Sequence, residues 1–217
     1  DMCNKNNYCV SIEMLCENVT CSNKGVCVVE NYIPKCNCDN GYIEEGLNCV
    51  DNYNFFLKQF GTSWSDEGNA VITDKEGNIY ITGYAGQNFQ NSGNKGVFLS
   101  KYNNQLEHQW TKQWGITESD YGKSVTVDSL GNVFVTGSTS GGLDGNTNAG
   151  LRDIFLTKFD NAGVKQWTKQ WGTTLNDSGK SVSIDNSGNV FVTGSTEYGL
   201  DGNTNSGSTD IFLTKFD

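Results

Sequence analysis

Oxygen-bearing side chains recur at alternate positions in Leu143-Asp144-Gly145-Asn146-Thr147-Asn148, and again 57 residues later in Leu200-Asp201-Gly202-Asn203-Thr204-Asn205. Alternating carboxylate and amide oxygens are how the opening half of a calcium loop presents its ligands. With Asp153 and Asp210 shortly downstream, the chain offers two sets of candidate calcium ligands: Asp144, Asn146, Asn148 and Asp153, then Asp201, Asn203, Asn205 and Asp210. Two departures weigh against that chemistry. The sixth position holds Ala149 or Ser206 where a calcium loop needs glycine, and no glutamate closes either loop at position twelve. An Asx-type loop, whose side chains bond their own backbone, is the simpler expectation. Calcium apart, no cofactor is expected.

Catalytic chemistry has little to stand on. His108 is the only histidine, no Ser-His-Asp set can be assembled around it, and the aspartates recur in register as Asp66/Asp120/Asp177 and Asp74/Asp128/Asp185. Recurrence of that kind reads as turn residues repeated with a structural unit, and a non-enzyme is expected. The aromatic pairs Phe56/Phe60, Trp110/Trp114 and Trp167/Trp171 are four apart and share a strand face. A sugar-stacking platform is one reading. Packing inside the fold is the better one, because phenylalanine replaces tryptophan at both positions of the first pair. Trp64 falls outside the pattern, in a loop, and is the better candidate for an exposed contact. Asn18-Val19-Thr20 and Asn176-Asp177-Ser178 make Asn18 and Asn176 candidate glycosylation sites.

These residues sit in a repeat. Gly122 to Asp160 returns as Gly179 to Asp217 with 30 of 39 positions identical, and a third copy is visible upstream. FLKQFG at Phe56 becomes WTKQWG at Trp110 and Trp167, GNIYITG at Gly77 becomes GNVFVTG at Gly131 and Gly188, and VFLSKY at Val97 becomes IFLTKFD at Ile154 and Ile211. The repeat landmarks span 56–102, 110–160 and 167–217. Each period holds four short runs rich in β-branched and aromatic residues between Gly/Asn/Asp/Ser turns, which predicts a four-stranded antiparallel meander. In the second copy the runs are Ser124–Asp128, Asn132–Thr136, Asp153–Phe159 and Lys165–Trp171. VFVTG and DIFLTKF are apolar on both faces, so these sheets should be covered on both sides, as stacked meanders would be.

Composition agrees with an all-β chain: 26 glycines stand against one proline in 217 residues. The net charge of −10 argues against nucleic acid or an anionic membrane as partner, and no basic stretch offsets it. Membrane insertion is not expected either, since no run approaches the roughly 18 apolar residues a span needs. All eight cysteines lie in the first 49 residues, which predicts a disulfide framework made in an oxidising compartment and therefore a secreted or surface-exposed protein. The start at Asp1, without an initiator Met or an apolar leader, is consistent with processing or with a fragment. Domains are expected at 1–15 (a cysteine-containing extension), 16–50 (a disulfide module) and 53–217 (the repeats).

From Cys16 the spacing is C-x4-C-x5-C-x8-C-x-C-x10-C, and Cys36-Asn37-Cys38-Asp39-Asn40-Gly41-Tyr42 precedes the closing Cys49. This pattern resembles the epidermal growth factor module. Six cysteines leave 15 connectivities open by spacing alone. The resemblance implies Cys16–Cys27, Cys21–Cys36 and Cys38–Cys49. It also implies no calcium at this module, because Ser11 to Leu15 lacks the acidic run before the first cysteine and Val29 stands where Asp or Asn is needed. A zinc site is disfavoured by the absence of histidine and of paired C-x2-C knuckles in this segment. Cys3 and Cys9 lie outside the six, and a local Cys3–Cys9 bridge is expected.

The repeats are similar to the bacterial propeller-repeat family usually described as seven-bladed, which shares the G-x-x-V-x-x-D, GN-V-x-V-T-G and D-I-F-L-T-K-F landmarks. The first copy departs from it, with Gln87 to Gly96 in place of LDGNTN. The strand count gives one outer strand at Phe55–Phe60, then two complete blades, then three strands to Asp217, which is three blade equivalents. Rings have about four to eight blades. The expectation is therefore an incomplete ring that packs with further blades or further copies, with Phe55, Phe56, Leu57 and Phe60 as an assembly strand, in an extracellular structural or adhesive protein, filament or surface subunit. The alternative is a lectin-like module that binds a glycan or a surface protein through loops on one rim.

Overall fold

The computed structural model describes residues 2–3, 9–10, 15–31, 33–51, 56–86, 96–115 and 119–217. They form two compact units, Asp1–Leu57 and Lys58–Asp217. In the first unit β1 (Met2–Cys3) pairs with β2 (Cys9–Val10), which sets the backbones of Cys3 and Cys9 opposite each other. The expected bridge between their side chains lies outside the described residues. β3 (Gly25–Glu30) and β4 (Ile33–Cys38) form one hairpin, β5 (Tyr42–Glu45) and β6 (Asn48–Asp51) a second. Disulfides join Cys16 to Cys27, Cys21 to Cys36 and Cys38 to Cys49, the pairs implied by the resemblance. The interior is made of the cysteines themselves: Cys21, Cys36 and Cys49 are buried against Val19 and Tyr42, while Val26, Ile33, Ile43 and Leu47 face solvent. So small a core cannot offset chain entropy unaided, and cross-links compensate by restricting the unfolded chain.

The second unit is a row of meanders. Strands β7 (Asp66–Thr73), β8 (Ile79–Ala85), β9 (Gly96–Tyr102) and β10 (His108–Trp114) form the first four-stranded antiparallel sheet. β11 (Tyr121–Val127), β12 (Val133–Thr139), β13 (Asp153–Phe159) and β14 (Lys165–Trp171) form the second. β15 (Asp177–Ile184), β16 (Val190–Thr196) and β17 (Asp210–Phe216) form a third sheet of three strands. The chain is thus all-β, with propeller-type repeats and no closed ring among the described residues.

Each first hairpin is closed by the Asp-x-x-Gly-Asn turn. In β11–β12, Asp128 Oδ1 accepts the backbone N–H groups of Leu130 (2.9 Å) and Asn132 (2.8 Å), and Gly131 supplies the positive φ of 82°. Asp74 and Asp185 do the same in the other copies. At Asp74 burial alone would raise the carboxyl pKa, but bonds from Asn78, Tyr80 and Glu76 outweigh it and hold the group below its ordinary value.

Neighbouring sheets stack face to face. Tyr80, Val97, Leu99 and Trp114 of the first blade meet Val125, Val133, Val135, Phe155 and Phe159 of the second. Phe134, Ile154 and Leu156 on the second blade's other face meet Val182, Val190, Val192 and Phe212 of the third. The middle strands β12 and β13 are covered on both sides, as their two-faced apolar sequence requires.

Strand limits differ from the sequence reading in two places. β11 and β12 run beyond Ser124–Asp128 and Asn132–Thr136, because a register shift between Gly122 and Ser124 lets pairing continue past the point where alternation breaks. The expected outer strand at Phe55–Phe60 is not a strand: residues 56–60 have no ladder, Phe55 lies outside the described residues, and no described strand runs alongside to pair with them. A strand needs a neighbour for its backbone groups, and sequence pattern cannot supply one.

Candidate functional site

The loop carrying the first candidate calcium set is a single 3-10 turn at Leu143–Gly145, with Asp144 itself at φ 51°. Its four candidate side chains each bond groups within the blade. The Asp144 carboxylate takes Lys165 Nζ and Thr168 Oγ1 from β14, and Asn146 Nδ2 donates to the carbonyls of Leu143 (2.7 Å) and Thr168 (3.2 Å). Asn148 Oδ1 accepts Gly150 N–H at 2.9 Å, and Asp153 Oδ2 accepts Ala149 N–H at 2.9 Å. Gln170, also on β14, fastens the whole loop: its Oε1 accepts Leu143 N–H at 2.9 Å, while its Nε2 donates to Gly141 O (3.0 Å) and Asp153 Oδ2 (2.9 Å). The fourth strand of the blade is therefore what holds the loop.

The third repeat shows the same loop beside an uncovered edge. Asn203 Nδ2 donates to Leu200 O (2.8 Å), Asn205 Oδ1 accepts Gly207 N–H (2.9 Å) and Asp210 Oδ2 accepts Ser206 N–H (2.7 Å). Asp201 sits in the same left-handed conformation as Asp144, at φ 53°. A groove of about 490 Å3 runs between this loop and β17, lined among others by Leu200, Asp201, Asn203, Asp210, Phe212 and Lys215.

Two members of the Asp66/Asp120/Asp177 series, together with Asp153 of the first candidate calcium set, are structural in a different way. Asp120, Asp153 and Asp177 are fully buried. Thr139 Oγ1 donates to Asp120 Oδ1 at 2.6 Å, and Asp177 Oδ2 accepts both the N–H and the hydroxyl of Thr173. Asp153 and Asp177 approach the same point above Gly172 from two blades, and the Oδ1 of each has no hydrogen-bond partner among the described residues.

Of the aromatic pairs, Trp114 packs edge-on or tilted against Phe155 and Phe159 of the next blade (6.3 and 4.9 Å between centroids), and Trp171 edge-on against Phe212 and Phe216 (6.4 and 5.4 Å). Trp110 and Trp167 pack on Tyr80 and Phe134. Trp114 and Trp171 thus pack between blades, while Trp110 and Trp167 pack on rings of their own sheets. Phe60 makes the equivalent contacts with Phe98 (6.3 Å) and Tyr102 (5.3 Å). Phe56 and Leu57 are three-quarters exposed, and Trp64 is 63% exposed. His108 bonds Thr111 Oγ1 and lies edge-on to Tyr102. Of the sequons, Asn18 is exposed, whereas Asn176 Nδ2 donates to Glu197 Oε2 at 2.9 Å.

One group of residues escaped the linear reading. Lys123, Lys180 and Arg152 come together in a second cavity of about 490 Å3 between the first strands of the blades, with Glu67, Asn69 and Tyr121 completing its lining. No basic run marks it, because each cation comes from a different segment. The available signal was positional: Asn69, Lys123 and Lys180 each follow the glycine of the first strand, in Glu67-Gly68-Asn69, Tyr121-Gly122-Lys123 and Ser178-Gly179-Lys180.

With these geometries in place, the comparisons with known proteins bear on the repeats. The profile of the β-propeller repeat family matches residues 56–90, 109–144 and 166–197. Over 165 residues the chain is 28% identical to the regulatory protein FlaEY of Caulobacter vibrioides, covering 67% of this chain and 17% of that one. Over 171 residues it is 26% identical to an uncharacterized WD repeat-containing protein, L264, of Acanthamoeba polyphaga mimivirus, covering 59% of this chain and 12% of that one. The chain thus spans less than a fifth of either relative's length. Among the described residues no helix is long and apolar enough to cross a membrane, and the three disulfides fit a non-cytoplasmic environment.

Proposed function

We propose, from three β-propeller-type repeats carried beside a disulfide-bonded module, an extracellular, non-catalytic structural and adhesive protein that acts by packing its blades with further blades. Phe60 is the observation that supports this reading. In the two later interfaces the equivalent aromatic, Trp114 or Trp171, is delivered by the fourth strand of the preceding blade. Phe60 is seated in the same way on Phe98 and Tyr102, yet among the described residues its own segment has no strand beside it. The segment before it belongs to a disulfide unit with its own hairpins. The inner strands of the blade that Phe60 would complete come, on this reading, from elsewhere in the array or from another copy.

A sheet such as β15-β16-β17 suits that role, with Ile211 and Leu213 of β17 exposed at 87% and 73%. Backbone pairing across such an edge supplies affinity, and alternate side chains supply register. Gln59 occupies the position of Gln170 and would reach Leu200 N–H and Asp210 Oδ2 as Gln170 reaches Leu143 and Asp153. The resemblance of the first unit's cysteine pattern to the epidermal growth factor module, its disulfides and the exposed Asn18 sequon support an extracellular setting.

Native mass spectrometry and negative-stain electron microscopy of the full chain test the assembly. Multiples of 23.8 kDa or filaments are expected, weakened by Phe60→Ala and Gln59→Ala. A wild-type chain that stays monodisperse at 23.8 kDa across concentrations overturns it. The groove beside Leu200–Asn205 favours a second reading, a lectin-like module, which a glycan array with and without chelator tests. Binding on the array with loss in Asp201→Ala supports it, and no glycan bound under either condition removes it.

A further inference from the structure

The cavity between the first strands has a charge opposite to that of the molecule around it. Its three cations, Lys123, Arg152 and Lys180, face one acid, Glu67, in a chain whose net charge is −10. Among the described residues no ion pair within 4.0 Å neutralises any of the three. Like charges gathered in a concave, partly dehydrated space raise the free energy of the empty site, and an anion relieves it.

The backbone places these side chains in a repeated way. Ladder register shifts between Gly68 and Ala70, between Gly122 and Ser124, and between Gly179 and Ser181. The residue inside each shift is Asn69, Lys123 or Lys180. A bulge lifts its residue out of the in-out alternation of the strand and re-aims the side chain. In the first blade Asn69 uses this freedom to donate to Gly122 O at 2.9 Å, tying two blades together. In the next two blades lysine takes the position, and Lys123 and Lys180 become neighbours. Burial, then the adjacent Lys180 ammonium and the Arg152 charge, push Lys123 down to about 8, with Glu67 opposing. Arg152 lies 5.8 Å from the Tyr121 ring, which in turn stacks on Tyr84 at 5.1 Å, so one wall of the cavity is aromatic.

We propose that this cavity binds the oxyanion group of a small ligand, a carboxylate, sulfate or phosphate, with Arg152, Lys123 and Lys180 as its donors. The planar guanidinium offers two parallel N–H groups to two oxygens, and the lysines contribute compact charges that tolerate several anion shapes. The tyrosine wall suits a ligand that carries a ring beside its anionic group. Nothing in this depends on assembly through the blade edges.

Calorimetric titration of the full chain at low ionic strength with inorganic phosphate, sulfate and glucuronate separates the three chemistries. Saturable one-to-one binding of at least one is expected, weakened about tenfold or more in the Lys123→Gln/Lys180→Gln double variant and little changed in a Lys75→Gln control. Asn69→Lys, at a position whose bulge already accepts lysine in the next two blades, should tighten binding. It serves as the readout if the double variant is unstable. Absence of saturation up to about 10 mM for all three, or an Asn69→Lys variant that binds no better than wild type, overturns the proposal.

Discussion

At the scale of single residues, Gly172 shows how little room the blade interface leaves. A Cβ there would lie 2.5 Å from Asp153 Oδ1 and 2.9 Å from Asp177 Oδ2, between carboxylates that are fully buried. Gly172→Ala must displace one of them from its bonds with Ala149, Gln170 or Thr173. The expected cost is about 1–3 kcal/mol, read by denaturant unfolding, with the midpoint lowered. Lys123 offers a second test with a definite sign. Its folded pKa of about 8 lies below the ordinary 10.5, so between those values the unfolded chain holds a proton that the folded chain has released. Stability contributed at this site therefore rises with pH through that window. Relative to Lys123→Gln, the wild type should be less stable at pH 7 and should close the gap by pH 10.5. The change is about 1 kcal/mol, because the side chain is half exposed and solvent screens it. The groups facing Lys123 are Lys180, Arg152, Glu67, Asn69 and Tyr121, and a gap that does not vary with pH would show that they do not disfavour its charge.

At the scale of elements, β14 does more than finish a sheet. Through Gln170 it ties the Leu143–Asn148 loop to Asp153, and through Thr168 and Lys165 it fixes Asp144. Gln170→Ala removes three hydrogen bonds at once and should loosen the loop before it loosens the sheet. Hydrogen exchange should speed up at Leu143 N–H and Ala149 N–H while β12 and β13 stay protected, with about 1–2 kcal/mol lost from global stability. Equal acceleration across the blade would overturn that order. The elements were legible in the sequence where pattern and packing agree. β13 and β14 begin and end where their β-branched and aromatic runs do, and the Asp-x-x-Gly-Asn turns close as their composition requires. Legibility failed where structure depends on a neighbour. The run FLKQF has strand composition but no described strand beside it, and Tyr121-Gly122-Lys123 breaks alternation at a bulge that only pairing defines. The cationic cavity was hidden for a related reason: Lys123, Arg152 and Lys180 are scattered in the chain, and net charge averages over the surfaces that folding separates.

At the scale of the whole molecule, two kinds of stability share one chain. Among its described residues the first unit buries cysteines and little else, so its folded state depends on cross-links, of which the three described close loops of 11 to 15 residues. Loops of that length contribute on the order of 3 kcal/mol each by restricting the unfolded ensemble, which is comparable to the whole stability such a small unit can hold. The second unit contains no cysteine and rests on two apolar interfaces between blades. Reduction should therefore act on one unit and spare the other. In the presence of a strong reductant, amide dispersion from residues 15–51 should collapse to unfolded positions, while the near-ultraviolet dichroism of Trp114 and Trp171 in the blade interfaces stays as it was. Loss of both signals together would mean that the blades need the disulfide unit in order to fold. Persistence of both would mean that the hairpins of the first unit hold without their bridges. Selective loss is the outcome that the division of cores predicts, and it would leave the packing of Phe60, the edge of β17 and the cationic cavity open to study in the reduced protein.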